Sequence, residues 1–265
     1  MTSSILVEGV RIAFADHGTG TPVVFLHGFP LNRRMWAPQV EALASFMRVI
    51  AIDLRGHGES DAPLWRYHVE QFADDVAAVL DHLSVARAVL VGLSMGGYVA
   101  LSFVRRHAAH LKGLVLTDTR AQADTDAARA ARFQMAQAAL AKGPGAVADL
   151  MLPKLLAPTT LETNPSLVRQ VRALIEGMSI SGIAGDLMAM ADRADSLSLL
   201  SSIRCPTLVL VGEQDQATPV ADARLMADAI PEAQLVIIPN AGHLPNLEQP
   251  DRFNEILRRF VGSLS

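Results

Sequence analysis

Six short runs of unbroken apolar residues recur along this chain: Val23–Leu26, Val49–Ile52, Ala88–Val91, Leu114–Leu116, Leu208–Val211 and Leu235–Ile238. A strand with one wet face alternates apolar and polar residues, whereas unbroken apolarity suits strands buried on both faces. Stretches with a 3.6-residue apolar period lie between the runs. Phe72, Val76, Val79, Leu80 and Leu83 line one helical face, and Phe253, Ile256, Leu257 and Phe260 line another. Strands alternating with helices predict an α/β fold, with a mostly parallel sheet covered by helices on both faces. The alternating stretch Arg11–Ala15 predicts an antiparallel N-terminal edge. Pro250 and Asp251 suit the start of the last helix, and Arg258 and Arg259 suit its end. Thr218-Pro219 reads as an N-cap followed by proline at the first helical position, with Pro231 ending that helix.

The alternation is interrupted once. From Gln122 to Ser201 the pattern is helical without a convincing strand, and Gly143-Pro144-Gly145, Pro153, Pro158 and Asn164-Pro165 divide it into short helices. Residues 122–201 are therefore expected to form a helical cap inserted into a core made of residues 1–121 and 202–265. Five of the ten methionines, Met135, Met151, Met178, Met188 and Met190, lie in this segment. Methionine fills irregular apolar space, so most of these pack the cap and some line a pocket.

Half of the 265 residues are apolar, and the net charge is −4 with no basic run. A buried core is expected and nucleic-acid binding is not. No basic n-region with an apolar h-region opens the chain, and no apolar stretch reaches the ~18 residues of a membrane span. The single cysteine, Cys205, excludes an intrachain disulfide and reads as a small buried hydrophobe, so a cytoplasmic setting is expected. Metal-ligand motifs such as His-Glu-x-x-His are absent.

The chemistry centres on Gly92-Leu93-Ser94-Met95-Gly96-Gly97, between an apolar run and a helical stretch. A strand turning into a helix at a single residue strains that residue and brings two backbones close together. Small residues two before and two after it are then required. Such an elbow lifts Ser94 Oγ to the top of the sheet. A serine hydroxyl needs a base, and His243, in the loop after Leu235–Ile238, is the strongest of the eight histidines. His107 and His110 end the helix that starts at Ser94, His68 and His82 read as surface residues, and His17 lies in an early turn. His57 serves loop structure. An acid must orient the base, and Asp215 follows Leu208–Val211; Asp118, after Leu114–Leu116, is the second candidate, and Glu213 lies earlier in the Asp215 turn. Two backbone N–H groups, of Met95 and of Phe29 in His27-Gly28-Phe29-Pro30, suit an oxyanion hole. His27 is expected to order that loop. Gly28, Leu244, Met135, Met151, Met178 and Met188 are the expected substrate-lining residues.

Taken together, His27-Gly28-Phe29-Pro30, Asp53-Leu54-Arg55-Gly56-His57-Gly58-Glu59-Ser60, Gly92 to Gly97, Gly212-Glu213-Gln214-Asp215 and Gly242-His243 resemble the α/β-hydrolase superfamily from about Arg11 to Val261. The order Ser…Asp…His matches it. Asp118-Thr119-Arg120-Ala121 and Met190-Ala191-Asp192-Arg193 are similar to the small bacterial carboxylesterases and the 3-oxoadipate enol-lactonase-like group. The resemblance implies an α/β-hydrolase fold of eight strands with a helical lid, no cofactor, and an acyl-enzyme on Ser94. A small soluble ester and water are the expected partners. A lactonase, a cofactor-free perhydrolase and a non-catalytic ligand receptor are the other readings. A lactonase acting on a carboxylated ring needs a cation, for which Arg33, Arg34, Arg120 and Arg193 are candidates.

Overall fold

The computed structural model describes residues 2–64 and 66–264. Its eight strands are β1 (Thr2–Val7), β2 (Val10–His17), β3 (Pro22–Leu26), β4 (Arg48–Ile52), β5 (Ala88–Leu93), β6 (Leu111–Thr117), β7 (Thr207–Gly212) and β8 (Gln234–Ile238). They form one sheet in the order β1-β2-β4-β3-β5-β6-β7-β8. β1 and β2 pair antiparallel, as do β2 and β4, and every later pairing is parallel. All residues of β5 and β7 are buried, as unbroken apolarity requires.

Two edges differ from the sequence reading. β1 was not foreseen, because its residues are mostly exposed and alternate weakly. It exists because Glu8 and Gly9 both take positive φ (49° and 80°), the two-residue hairpin turn that matches strand twist. At the other edge, β8 pairs among the described residues with β7 alone, and Leu235, Val236 and Ile237 are half-buried rather than covered on both faces.

The helices of the first half are α1 (Ala37–Leu43), α2 (Val69–His82) and α3 (Met95–His107). Between β6 and β7 come α4 (Asp126–Lys142), α5 (Pro144–Leu155), α6 (Pro158–Thr163), α7 (Pro165–Glu176), α8 (Ile180–Asp192) and α9 (Leu197–Leu200). The chain closes with α10 (Val220–Ala229), α11 (Pro245–Glu248) and α12 (Pro250–Gly262). Pro144, Pro158, Pro165 and Pro250 each stand in a first helical turn, where a missing N–H costs no hydrogen bond. Pro153 does not break its helix; it lies inside α5, near the end. α10 begins at Val220 with Pro219 as its cap, so Thr218 is free for another task.

On the core, Trp36 packs between Phe25 and Phe253, with ring centroids 5.0 and 5.9 Å away. α12 buries Phe253, Leu257 and Phe260, each worth about 1.5–3 kcal/mol of hydrophobic burial. α8 is pinned to the core at two points. A Cβ on Gly182 would collide with the Gly56 carbonyl, so the backbones touch there. One turn on, Asp186 lies 2.8 Å from His57, both without exposed surface. Among the described residues no single helix is long and apolar enough to cross a membrane; only α7 and α8 together, bent by 92°, reach that length.

Candidate active site

The strand order reverses across β3, which has β4 on one side and β5 on the other. The crevice beyond the strand C-termini at such a switch point is where open α/β sheets bind ligands. Leu26 pairs with Gly92, so the loop after β3 and the elbow after β5 leave the sheet side by side.

Ser94 has φ 55° and ψ −113°, a strained position for a residue with a side chain. Its surroundings show why small neighbours are required. A Cβ on Gly92 would strike the Gly96 carbonyl, and one on Gly96 would strike the Leu26 carbonyl. The elbow is braced by the Ser94 N–H donating to Thr117 O (2.9 Å) and by the Thr119 hydroxyl donating to Ser94 O (2.8 Å). Met95 opens α3, where an N–H has no intrahelical acceptor. Among the described residues the Phe29 N–H also makes no hydrogen bond. Gly28 backs onto the elbow: its Cβ position lies 3.2 Å from Ser94 Cβ.

His27 orders this loop. Its Nε2 accepts the Leu54 N–H (3.1 Å), so the proton sits on Nδ1 and donates to Gly28 O (3.1 Å). Burial first, then the charge of His57, holds its pKa well below the ordinary value and keeps the ring neutral. His57 hydrogen-bonds Arg55 O through Nδ1 (3.0 Å), the loop role read from the sequence, and also reaches Asp186 of α8, which the sequence did not reveal.

His243 and Asp215 meet. His243 Nδ1 lies 2.8 Å from Asp215 Oδ2. Asp215 Oδ2 also accepts from the Thr218 hydroxyl (2.6 Å), and its Oδ1 accepts the N–H groups of Ala217 (2.8 Å) and Thr218 (3.1 Å). Burial would raise the Asp215 pKa, but the charge and hydrogen bond of His243, together with the Thr218 bonds, outweigh it and lower it to about 2. The carboxylate is then an acceptor only, which fixes the His243 proton on Nδ1. Thr218, read as a helix cap, is instead a hydrogen-bond donor to this acid. The tip of the His243 loop is held from the helical insertion: Glu248 accepts the N–H groups of Gly242 and Ala157 (both 2.8 Å) and the Thr160 hydroxyl (2.6 Å).

Ser94, His243 and Phe29 line one cavity of about 350 Å³, within the range of small-molecule sites. Met135, Met151, Leu187 and Met190 supply apolar wall from the insertion, and Tyr98, Arg120, Asp124, Arg132, Lys154 and Gln216 supply polar groups. Several expected lining residues lie elsewhere. Met188 faces an outer groove with Phe133 and Leu140, because it stands one turn from Ala184 and Asp192 on the far face of α8 from Leu187 and Met190. Met178 is buried in the packing after α7, Leu244 is fully buried at the start of α11, and Gly28 lies beneath the elbow.

Of the candidate cations, only Arg120 reaches the cavity. Arg33 is paired with Asp53, and Arg34 is exposed beside Glu59. Arg193 bonds Asp124 and the carbonyls of Met190 (2.8 Å) and Gln122 (2.7 Å), with its guanidinium 4.1 Å over the Tyr98 ring. Arg132 and Lys154, which the sequence reading passed over, also line the cavity. Asp124 pairs with Arg132 and Arg193. Burial would raise the Asp124 pKa, but these two arginines hold it below the ordinary value. Among the described residues Lys154 has no hydrogen-bond or ion-pair partner.

Residues 21–250 match the family model for the alpha/beta hydrolase fold, and the chain belongs to that family. Membership, together with esterase and enol-lactonase relatives, supports hydrolase activity. A thermophilic esterase from Thermogutta terrifontis, solved with malate bound, is similar over 100% of this chain and 99% of its own at 41% identity, TM-score 0.96. The enol-lactonase from Burkholderia xenovorans LB400 is similar over 98% of this chain and all of its own at 31% identity, TM-score 0.92. A 3-oxoadipate enol-lactonase from Acinetobacter baylyi is 31% identical over 245 residues, 91% of this chain and 89% of the relative.

Proposed function

We propose that the protein is a serine carboxylesterase acting on small soluble esters, with helices α4–α9 serving as a cap over the site. The observation that carries this reading is the buried 2.8 Å contact from Asp215 to Nδ1 of His243, which lines the same cavity as Ser94. In the proposed reaction Ser94 Oγ attacks the ester carbonyl as His243 Nε2 takes its proton. The oxyanion is received by the Phe29 and Met95 N–H groups. His243 then gives that proton to the departing alcohol, leaving an acyl-enzyme. Water then attacks the acyl carbon as His243 takes its proton, and His243 returns that proton to Ser94 Oγ as the acid leaves. The test is Ser94→Ala on a p-nitrophenyl ester, with active-site phosphonate labelling of the wild type. Turnover should fall by several orders of magnitude and label should map to Ser94. Near-normal turnover, or label elsewhere, refutes the reading.

A second reading, a lactonase or esterase for carboxylated substrates, is favoured by the cavity's charge. Arg120, Arg132 and Lys154 line it against one lining acid, Asp124, in a chain whose net charge is −4. The similar Thermogutta esterase was solved with malate, a dicarboxylate. Under this reading kcat/KM for a carboxylated ester exceeds that for its neutral analogue, and Lys154→Ala narrows the gap. Equal values for both substrates refute it.

A further inference from the structure

The proposed reaction leaves one buried carboxyl beside the triad unused. Asp118 directly follows β6 with φ 43° and has no exposed surface. Its N–H donates to Leu210 O (2.9 Å), and its Oδ1 accepts the Gly212 N–H (2.8 Å). These two bonds stitch the end of β6 to the end of β7, where the chain enters the loop carrying Asp215. Gly212 O in turn accepts the Asp215 N–H (3.2 Å). A carboxyl oxygen of Asp118, one of Asp215 and a ring nitrogen of His243 all lie within 4.8 Å of one another.

The donors around the two carboxyls are unequal. Asp215 receives four: His243 Nδ1, the Thr218 hydroxyl, and the Ala217 and Thr218 N–H groups. Those fill its lone-pair positions. Among the described residues Asp118 receives only the Gly212 N–H, and its Oδ2 is buried without any donor. The titratable groups around Asp118 are Asp215 after β7, His243 after β8 and Glu248 on α11. Among the described residues no lysine or arginine pairs with it. Two bare carboxylates so close repel, and a buried oxygen bearing charge without a donor is strongly disfavoured. A proton on Asp118 Oδ2 resolves both conflicts.

We infer that Asp118 is a positioning residue held as a neutral carboxylic acid, bracing the Asp215 loop and leaving the pair's single negative charge on Asp215. Burial, and next the Asp215 charge, push the Asp118 pKa well above the ordinary carboxyl value. The charge that steadies a protonated His243 is thereby concentrated on the carboxylate facing Nδ1. For a carboxyl raised on folding, the associated stability is full below the unfolded pKa and is lost as pH rises through the folded one. The inference rests on the triad reading only in taking Asp215 as the acid.

The test compares wild type with Asp118→Asn, whose amide is neutral, keeps an oxygen for the Gly212 N–H and tolerates positive φ. At neutral pH kcat/KM should stay within about threefold, the expectation for an exchange of one neutral group for another at unchanged charge. The thermal midpoint of the wild type should fall relative to the variant as pH rises from the ordinary carboxyl range toward the raised folded value, and level off above it. The wild type should also show a carboxylic-acid C=O stretch in the infrared at neutral pH that is missing from Asp118→Asn. A folded variant with kcat/KM reduced a hundredfold or more at neutral pH, or a midpoint difference that does not change with pH, overturns the inference. Should the variant not fold, absence of the protonated-carboxyl band in the wild type at neutral pH overturns it equally. The infrared and stability readouts do not depend on turnover, so they separate failure of this inference from failure of the esterase reading.

Discussion

Asp215→Asn tests the acid most sharply, because one substitution affects both tautomer and stability in calculable ways. The asparagine oxygen can still accept from the Ala217 and Thr218 N–H groups, but its NH₂ then faces His243 Nδ1. That nitrogen must become an acceptor, the ring proton moves to Nε2, and the edge toward the cavity can no longer take a proton. Turnover is expected to fall on the order of 10⁴-fold, the scale seen when a triad acid becomes an amide. The stability effect follows from the titration. Asp215 falls from 3.8 to about 2 on folding and is only 6% exposed, so little is lost to solvent screening. At 1.36 kcal/mol per pKa unit, this is about 2 kcal/mol at neutral pH. Because the folded pKa lies below the unfolded one, the contribution is full above the unfolded value and is lost as pH falls toward about 2. Urea unfolding of wild type and variant across acid to neutral pH reads this directly. The gap between them should be widest at neutral pH and close as acid is added. A gap that is constant with pH, or that widens in acid, would show that Asp215 is not a charged partner of His243.

Two further outcomes follow from packing. Asp186→Ala leaves the fully buried His57 without its partner and should cost about 1–3 kcal/mol in guanidinium unfolding, whereas His57→Leu/Asp186→Leu, with both polar groups gone, should recover most of that; no measurable single-variant loss would show the contact to be idle. Gly96→Ala drives a methyl into the Leu26 carbonyl and should cost at least about 1–3 kcal/mol along with most of the kcat/KM, measured by thermal unfolding and ester turnover; an unchanged midpoint would contradict the close approach at the elbow.

The elbow at Ser94 was legible in the sequence because its constraint is local: two backbones cross within five residues, and only small side chains fit. The loops holding Asp215 and His243 were legible for a related reason, since each follows an apolar run that forms a strand, fully buried in β7 and half-buried in β8. β1 was harder to see. Its stability comes from pairing with β2, residue for residue from Thr2↔Ala15 to Val7↔Val10, and not from apolar residues of its own. The cap methionines divide on a similar point. Met135 and Met188 are alike in sequence, but the rotation of α4 and α8 about their axes turns one toward the cavity and the other toward the outer groove.

By itself the sequence determined the class of fold, the strained serine and the order of the groups that follow each strand, because strand burial and the tight elbow depend on neighbours a few residues apart. The tertiary structure alone decided what stands beside them. Thr218 turns from a presumed cap into a donor to Asp215, Glu248 ties the His243 loop to Ala157, and Asp186 crosses from α8 to His57. Asp118 and Asp215, rivals for one role in the linear chain, become neighbours because β6 pairs with β7, Thr117 opposite Leu210. Which of the two carries the charge is set by the number of donors around each, a property of packing across the sheet that no local pattern encodes.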